Sequence, residues 1–194
     1  MSSSSSQHSA AITEAINQNV ANLENLKKHI AAMTQAADII IDALKAGRAI
    51  YFCGNGGSAA DAQHLAAELS GRFLKNRRPL PGVSLTTNSS ALTAIGNDFG
   101  YDEVFSRQLE GVGQRGDVLV SLSTSGNSPN VVKAIDVARK LGMKSIGLTG
   151  ERGSKLSEMC DICLQVPSAA TPRIQEMHIL VGHILCELAE NAVT

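Results

Sequence analysis

Two groups of side chains in this sequence are of types that perform acid–base or metal chemistry. His64 and Glu68 are four residues apart, a spacing that places both on one face of a helix. Gln175, His178 and His183 follow one another in a second helical pattern near the C-terminus. Imidazole and carboxylate groups bind zinc and also move protons. A surface hydrogen bond would equally explain the first pair, and a buried core histidine the second group, so the neighbouring residues must decide.

Two loops, each between a predicted strand and a predicted helix, are suited to hold an anion. Residues 54–58 read Gly-Asn-Gly-Gly-Ser, and residues 123–129 read Ser-Thr-Ser-Gly-Asn-Ser-Pro. Glycines let a ligand approach the backbone, and a helix N-terminus offers free N–H groups and the positive end of the helix dipole. The second loop adds four hydroxyls, more than a helix cap uses, and Lys133 follows one turn into the helix. These features predict a site for a phosphate monoester.

Nucleotide-binding loops are the main rivals to this interpretation. The first loop lacks the third glycine of G-x-G-x-x-G, and no acidic residue follows the next predicted strand, which disfavours a dinucleotide. The second loop lacks the G-K-[ST] of a Walker A loop. A tight turn and an ordinary helix cap remain the alternatives for the two loops.

The cysteines give only weak evidence for a redox or metal site. Cys160 and Cys163 form a C-x-x-C pair, but they run into a predicted strand, whereas a thioredoxin-like pair opens a helix. A zinc knuckle would need a second C-x-x-C pair, and the sequence has none. Cys53 and Cys186 lie in apolar patterns typical of small buried thiols. The sequence therefore favours free thiols without a redox or metal role.

Length and composition narrow the class of protein. The chain has 194 residues, of which 43% are hydrophobic and 18% charged, so it can form a core of one full-sized domain. A formal net charge of −1 and 3% aromatic residues argue against nucleic acid or an anionic membrane as the main partner. The sequence has neither a signal peptide pattern nor an apolar stretch of membrane-spanning length. We expect a soluble, cytoplasmic protein.

Short apolar segments alternate with helical patterns from residue 47 onward. Strands are predicted at residues 49–53, 83–85, 118–122, 145–148 and 162–166. Helices are predicted at residues 59–73, 88–95, 102–112, 130–141 and 172–192. Strands that alternate with helices form βαβ units, so we expect an α/β fold with a parallel sheet covered on both faces.

The N-terminal part of the chain differs from the rest. Residues 1–9 are polar and Ser-rich, and we predict a flexible tail. Residues 10–46 contain no Gly or Pro and carry apolar side chains at steps of three and four. This pattern predicts one long helix, or two joined near residues 27–30. Its apolar stripe is longer than one domain face needs, which indicates packing against another subunit. We therefore divide the chain into a tail, an oligomerisation segment and a domain over residues 47–194.

Four longer segments contain the residues considered above. They read CGNGGSAADAQHLAAEL, AIGNDFGYDEVFSRQ, SLSTSGNSPNVVKAI and RIQEMHILVGHILCEL. Together they resemble the phosphoheptose isomerases, a family of the sugar isomerase (SIS) superfamily, from about residue 47 to residue 190. The resemblance implies a three-layer αβα sandwich around a five-stranded parallel sheet, of flavodoxin-like type, in a homotetramer with active sites at subunit interfaces. It also implies conversion of D-sedoheptulose 7-phosphate to D-glycero-D-manno-heptose 7-phosphate, the first step of nucleotide-activated heptose biosynthesis for lipopolysaccharide core or other surface glycans.

The resemblance also assigns site residues and a cofactor. It implies one Zn²⁺ per active site, with His64, Glu68, Gln175 and His183 as ligands. The substrate contacts that it implies are Asn55, Gly56, Gly57, Glu68, Arg72, Asn97, Asp98, Ser123, Thr124, Ser125, Ser128 and Gln175. Aldose–ketose isomerisation moves a proton between C1 and C2, so Glu68 is the candidate base and His183 the candidate acid or base on the other side.

Helix geometry makes this ligand set difficult for a single chain. Gln175 and His183 are eight residues apart, about 12 Å along one continuous helix. Zinc ligands must approach to about 2.0–2.2 Å, so one helix can hardly supply both. We therefore expect that His183 completes a site whose other ligands belong mainly to a neighbouring chain.

Two functions of other classes compete with the isomerase. One is a non-catalytic SIS protein that binds the replication initiator, and the resemblance implies that it lacks the residues equivalent to Glu68 and His183. The other is a sugar-phosphate sensing module, which would keep the serine-rich loop without needing His64, Glu68 or His183. All three residues are present here, which favours the enzyme.

Overall fold

The computed structural model describes residues 2–193 as an α/β protein. Met1 of the predicted tail and Thr194 of the predicted domain lie outside the described residues. The strands of the described chain are β1 Ile50–Gly54, β2 Gly82–Ser84, β3 Val118–Leu122, β4 Lys144–Thr149 and β5 Ile162–Gln165. Its α-helices are α1 Ser2–Leu26, α2 Ile30–Lys45, α3 Gly57–Ser70, α4 Ser89–Phe99, α5 Ser106–Val112, α6 Pro129–Leu141, α7 Lys155–Met159 and α8 Thr171–Val193.

The strands form one parallel sheet in the order β2-β1-β3-β4-β5. Strand side chains alternate between two cores. Ile50 and Phe52 of β1 pack with α2, α3 and α8 on one face, whereas Tyr51 and Cys53 pack with α5 and α6 on the other. The predicted three-layer αβα sandwich is confirmed. Because the sheet is parallel, the carboxyl ends of β1 and β3 lie at the same edge, and both anion loops meet there.

The junction between the two N-terminal helices matches the prediction, whereas the start of the first helix does not. A single 3₁₀ turn, Lys27–His29, separates α1 from α2 where the sequence placed a junction. Residues 2–9, predicted to be a flexible tail, belong to α1. They contain no helix-breaking Gly or Pro, so the helix of the apolar stripe extends back through them to Ser2.

Smaller differences concern helix ends. Helix α3 ends at Ser70, before the predicted residue 73, because Gly71 interrupts it. Residues 101–103 form a 3₁₀ turn, and α5 begins only at Ser106. The short helix α7 was not predicted, since five residues are too few for a periodic pattern. None of the helices in the described part of the chain is long and apolar enough to cross a membrane.

Candidate active site

His64, Glu68 and His183 form a compact cluster between α3 and α8. The Nε2 atoms of His64 and His183 are 2.9 Å apart, and His64 Nε2 is 3.1 Å from Glu68 Oε1. One ligand atom from each residue lies within 4.8 Å of the other two. Two imidazoles and one carboxylate are a donor set of catalytic zinc sites, which keep a further position open for water or substrate. We call this group the histidine cluster.

The histidine cluster belongs to one chain. We predicted that His183 would join ligands of a neighbouring chain, and this prediction is wrong, because its ring meets His64 of the same chain. The argument from spacing concerned only the separation of Gln175 from His183 along α8. It could not show that α3 runs beside α8 and brings His64 and Glu68 to His183.

Close packing of α3 against α8 makes the histidine cluster possible. A Cβ added at Gly182 would lie 2.5 Å from the Leu65 side chain, so only glycine allows the two helices to approach this closely. The ring of Phe73 lies 5.6 Å from the ring of His183 and covers the cluster from the segment after α3. The packing of α3 against α8 therefore sets the short distance between His64 and His183.

A buried ion pair fixes the end of α3 that carries Glu68. Arg77 Nε donates to Glu190 Oε1 at 2.8 Å, and another guanidinium nitrogen of Arg77 donates to the backbone carbonyl of Glu68 at 2.8 Å. Glu190 also accepts from the backbone N–H groups of Phe73, Leu74 and Lys75. Burial alone would raise the pKa of Glu190, but these donors and Arg77 hold it below its ordinary value. The segment after α3 is thus tied to the C-terminal part of α8.

The two anion loops line one cavity of about 310 Å³ at the carboxyl edge of the sheet. Its lining includes seven of the predicted substrate residues, namely Asn55, Gly56, Gly57, Ser123, Thr124, Ser128 and Gln175. Gly57 begins α3, and a Cβ there would lie 2.5 Å from Gln175 Nε2. Glycine at this position therefore lets the Gln175 amide reach the helix N-terminus. We call this space the phosphate cavity.

Gln175 belongs to the phosphate cavity rather than to the histidine cluster of its own chain. Helix α8 is continuous, so Gln175 precedes His183 by about 12 Å along the axis. Side chains of one helix lean in the same direction, so this separation is kept between the two side chains. Its predicted role as a zinc ligand stays a prediction, and a ligating Gln175 would have to come from another copy of the chain.

Besides Glu68 of the histidine cluster, four predicted substrate residues do not line the phosphate cavity. Ser125 is exposed beside it, and its hydroxyl accepts the Asn127 backbone N–H at 3.2 Å. Asn97 and Asp98 are exposed on α4, where the Asn97 amide donates to Asp98 at 2.8 Å. Arg72 is exposed just after α3. Their roles as substrate contacts stay predictions.

Lys133 does not serve the phosphate cavity. Its ammonium donates to Glu103 Oε1 at 2.6 Å, so Lys133 faces the 3₁₀ turn before α5. Glu103 in turn accepts from the Ser106 hydroxyl at 2.6 Å. The positive side chain that the sequence placed near a phosphate is therefore neutralised by a carboxylate of the same chain.

Asn130 joins the two anion loops, and sequence reasoning did not identify it. The amides of Asn55 and Asn130 exchange two hydrogen bonds of 2.9 and 2.8 Å. Asn130 is only 2% exposed and opens α6, directly after the serine-rich loop. The pair fixes the Asn55 side chain at the wall of the phosphate cavity. A buried asparagine beside a helix N-terminus was the only available signal, and helix capping explains such a residue equally well.

The remaining candidates from the sequence lie apart from this site. His178 is fully buried, and burial lowers its pKa to about 4, so it is a neutral core residue at physiological pH. Cys160 and Cys163 are free thiols that both approach the space above Gly147. Burial raises the pKa of each thiol, which disfavours the reactive thiolate.

Comparison with known proteins gives a consistent result. The family model described as "SIS domain" matches residues 8–150. A phosphoheptose isomerase of Rhodospirillum rubrum is 62% identical over 162 residues, which cover 84% of this chain and 86% of that protein. One from Aliarcobacter butzleri is 56% identical over 179 residues, covering 90% and 95%. The solved structure of a phosphoheptose isomerase from Neisseria gonorrhoeae superposes with a TM-score of 0.89 at 43% identity, covering 94% of this chain and 98% of that one.

Proposed function

The chain belongs to the phosphoheptose isomerase family of SIS domain proteins, and we propose that one zinc ion held by His64, Glu68 and His183 forms its catalytic centre. The activity is the conversion of D-sedoheptulose 7-phosphate to D-glycero-D-manno-heptose 7-phosphate, in heptose biosynthesis. The observation that carries the proposed centre is the convergence of three ligand atoms within 4.8 Å of one another. We propose that the product supplies lipopolysaccharide core or another surface glycan.

The donor set fits a zinc ion. In the histidine cluster, the two Nε2 atoms face each other, and only one of them can be the donor in a hydrogen bond between neutral rings. A cation would accept a lone pair from both rings and from the Glu68 carboxylate. Zinc bound there would polarise the substrate carbonyl as a Lewis acid.

The phosphate cavity and the histidine cluster are spaced for an open-chain sugar phosphate. Gly57 lies at the cavity and His64 at the cluster, seven residues apart on α3, or about 10 Å along the helix. The cavity supplies hydroxyls and backbone N–H groups to the phosphate, which holds the far end of the sugar and aligns C1 and C2 at the cluster.

Glu68 and His183 then divide the proton chemistry. Glu68 takes the proton from carbon, and His183, whose Nε2 would bind the metal, can move the proton at oxygen only through its other ring nitrogen as the enediol forms. A carboxylate has two oxygens, so one can bind a metal while the other accepts a proton. Both side chains lie within the same cluster, which allows them to act on adjacent carbons.

Turnover with and without a metal chelator tests this function. Purified protein incubated with sedoheptulose 7-phosphate should form the heptose phosphate. Removal of metal by the chelator should abolish the activity, and addition of Zn²⁺ should restore it. Full turnover by protein with verified loss of metal would refute the proposed zinc centre while leaving the isomerase activity in place.

Substitution of Thr124 by valine should weaken substrate binding more than it slows the reaction. Thr124 lines the phosphate cavity, and valine keeps its shape but removes the hydroxyl. The phosphate does not change during isomerisation, so its contacts contribute mainly uniform binding. A hydrogen bond to a charged group contributes about 1.5–3 kcal/mol, so KM should rise about tenfold or more with a small change in kcat. A fall in kcat at constant KM would contradict this assignment.

We also propose assembly into a homotetramer with active sites near subunit interfaces. Four large apolar side chains of α1 are exposed, namely Ile12, Ile16, Val20 and Leu23. They border a groove that includes Arg173 and Glu176 at the start of α8, close in sequence to Gln175. Burial of this stripe by another copy would place an interface beside the phosphate cavity.

The cytoplasmic location stays a prediction.

A further inference from the structure

The side-chain amide of Asn130 has a fixed orientation at the start of α6. Its Oδ1 accepts the backbone N–H of Val131 at 3.0 Å. A backbone N–H can only donate, so the atom that faces it must be the amide oxygen rather than the amide nitrogen. The Asn130 Nδ2 group is therefore left for the neighbouring loop, where it donates to Asn55 Oδ1 at 2.8 Å.

The orientation of Asn130 also decides that of Asn55. Asn55 Oδ1 accepts from Asn130, and Asn55 Nδ2 donates back to Asn130 Oδ1 at 2.9 Å. The Tyr101 hydroxyl donates to the same Asn55 oxygen at 3.5 Å. An amide nitrogen carries two N–H groups, and only one of those on Asn55 has a partner in the described part of the chain. The Asn55 oxygen is thus bonded to protein groups, whereas one of its N–H groups remains free to bind a ligand.

A free N–H donor is suited to the wall of the phosphate cavity, which Asn55 lines. The oxygens of an ionised phosphate accept hydrogen bonds, so a carbonyl oxygen in place of the donor would repel them. A half turn of the Asn55 amide would make that exchange, but it would also bring oxygen against oxygen and nitrogen against nitrogen in the pair with Asn130. The pair therefore keeps a donor available to the cavity.

Capping of α6 does not by itself require an asparagine at position 130. An aspartate would accept the Val131 N–H equally well, but an ionised carboxylate has no hydrogen to donate to Asn55. Asn130 is also 2% exposed and does not line the phosphate cavity. Its second set of hydrogen bonds therefore acts on the neighbouring loop rather than directly on a ligand.

We propose that Asn130 is a positioning residue for substrate binding, which holds the Asn55 amide so that its free N–H donates to the phosphate end of the sugar phosphate. This inference rests on the proposed role of the phosphate cavity and adds a residue outside the predicted substrate contacts. It also gives the two anion loops a joint function, because a side chain that follows the second loop sets the hydrogen bonding of the first.

Steady-state kinetics of two single variants and their double variant test the proposal. Asn130→Ala removes the groups that orient Asn55, and Asn55→Ala removes the donor itself. Each should raise KM for sedoheptulose 7-phosphate about tenfold, the effect expected for one hydrogen bond to a charged group. The value of kcat should change little, because the phosphate end is unaltered by the reaction. The double variant should have the KM of Asn55→Ala alone, since Asn130 then has nothing left to position.

Two further variants separate positioning from a structural role. Asn130→Ser keeps a hydroxyl that can accept the Val131 N–H but lacks the amide that reaches Asn55, so its KM should match that of Asn130→Ala. The control Asn191→Ala removes an exposed asparagine on α8 and should leave KM and kcat unchanged. Thermal unfolding of each variant confirms that the kinetics are those of folded protein.

Two results would overturn the role of Asn130. Wild-type KM in folded Asn130→Ala and Asn130→Ser would show that Asn55 needs no positioning. Additive effects in the double variant would show that Asn130 acts on the fold rather than through Asn55. Wild-type KM in both Asn130→Ala and Thr124→Val would refute the phosphate cavity on which the inference rests, whereas a raised KM in Thr124→Val alone would refute only the role of Asn130.

Discussion

Replacement of Glu68 by glutamine should lower turnover by about 10²–10⁴, the usual contribution of a general base, while the protein stays folded. Glutamine keeps the length and shape of the side chain but cannot accept a proton from carbon. Glu68 is only partly exposed and its side chain lies 3.1 Å from His64, so glutamine can occupy the same space. Initial rates with sedoheptulose 7-phosphate at saturation measure the effect.

The matched control is Glu110→Gln on α5. Glu110 is exposed on a helix of the opposite layer, so this substitution should leave turnover unchanged. Thermal unfolding of both variants should resemble wild type, since neither removes core packing. Near-normal turnover of folded Glu68→Gln would refute the assignment of Glu68 as the base.

The metal content of Glu68→Gln distinguishes the two roles of this residue. If Glu68 acts mainly as the base, the variant should keep bound zinc and lose activity. If its charge is needed to hold the ion, both should fall together, and activity should rise when excess Zn²⁺ is added. The second pattern is the one expected for a three-ligand centre whose single anionic ligand has been neutralised.

The central strands of the sheet were predictable because they are buried on both faces. Val118–Leu122 is a continuous apolar segment apart from Ser121, and its predicted bounds match β3. Helix ends were less predictable, because one residue such as Gly71 can stop a helix whose periodic pattern continues. Helix α1 shows the opposite case, because it continues through the polar serines that precede its apolar stripe.

The site was predictable where one element supplies both the spacing and the chemistry. His64 and Glu68 share a helix face, and each anion loop lies between a strand and a helix. Contacts between distant elements left no signal in the spacing of residues, and only the resemblance to the phosphoheptose isomerases joined His183 to His64 and Glu68 in one site. Three such contacts depend on how the helices pack. They are the hydrogen bonds between Asn55 and Asn130, those from the segment after α3 to Glu190, and the contact of His64 with His183.

The location of His183 also bears on the rival functions. A sensing module would need only the phosphate cavity, because recognition of the phosphate uses hydroxyls and backbone N–H groups. Here a second group of ionisable residues lies about 10 Å along α3 from the phosphate cavity, and packing at Gly182 holds it in place. The histidine cluster can transfer protons, and a protein that only binds a sugar phosphate would not need it.

A mixture of two inactive variants should remain inactive. Glu68→Gln and His183→Ala each destroy the histidine cluster of the chain that carries them, and the cluster is formed within one chain. Oligomers that contain both variants therefore have no intact cluster at any position. The two chains are produced together with different affinity tags, and the species that carries both tags is isolated and assayed. Its turnover should equal that of the inactive parents.

Wild-type chains tagged and mixed in the same way with His183→Ala provide the control, and their activity should follow the fraction of wild-type chains. If a cluster instead combined Glu68 of one chain with His183 of another, half of the chains would supply each intact residue. Such random pairing would restore about a quarter of wild-type activity in a closed symmetric oligomer. Recovery of that size would show that the residues meet across an interface. Its absence is expected, because His64, Glu68 and His183 need only the packing of α3 against α8 in one chain to converge.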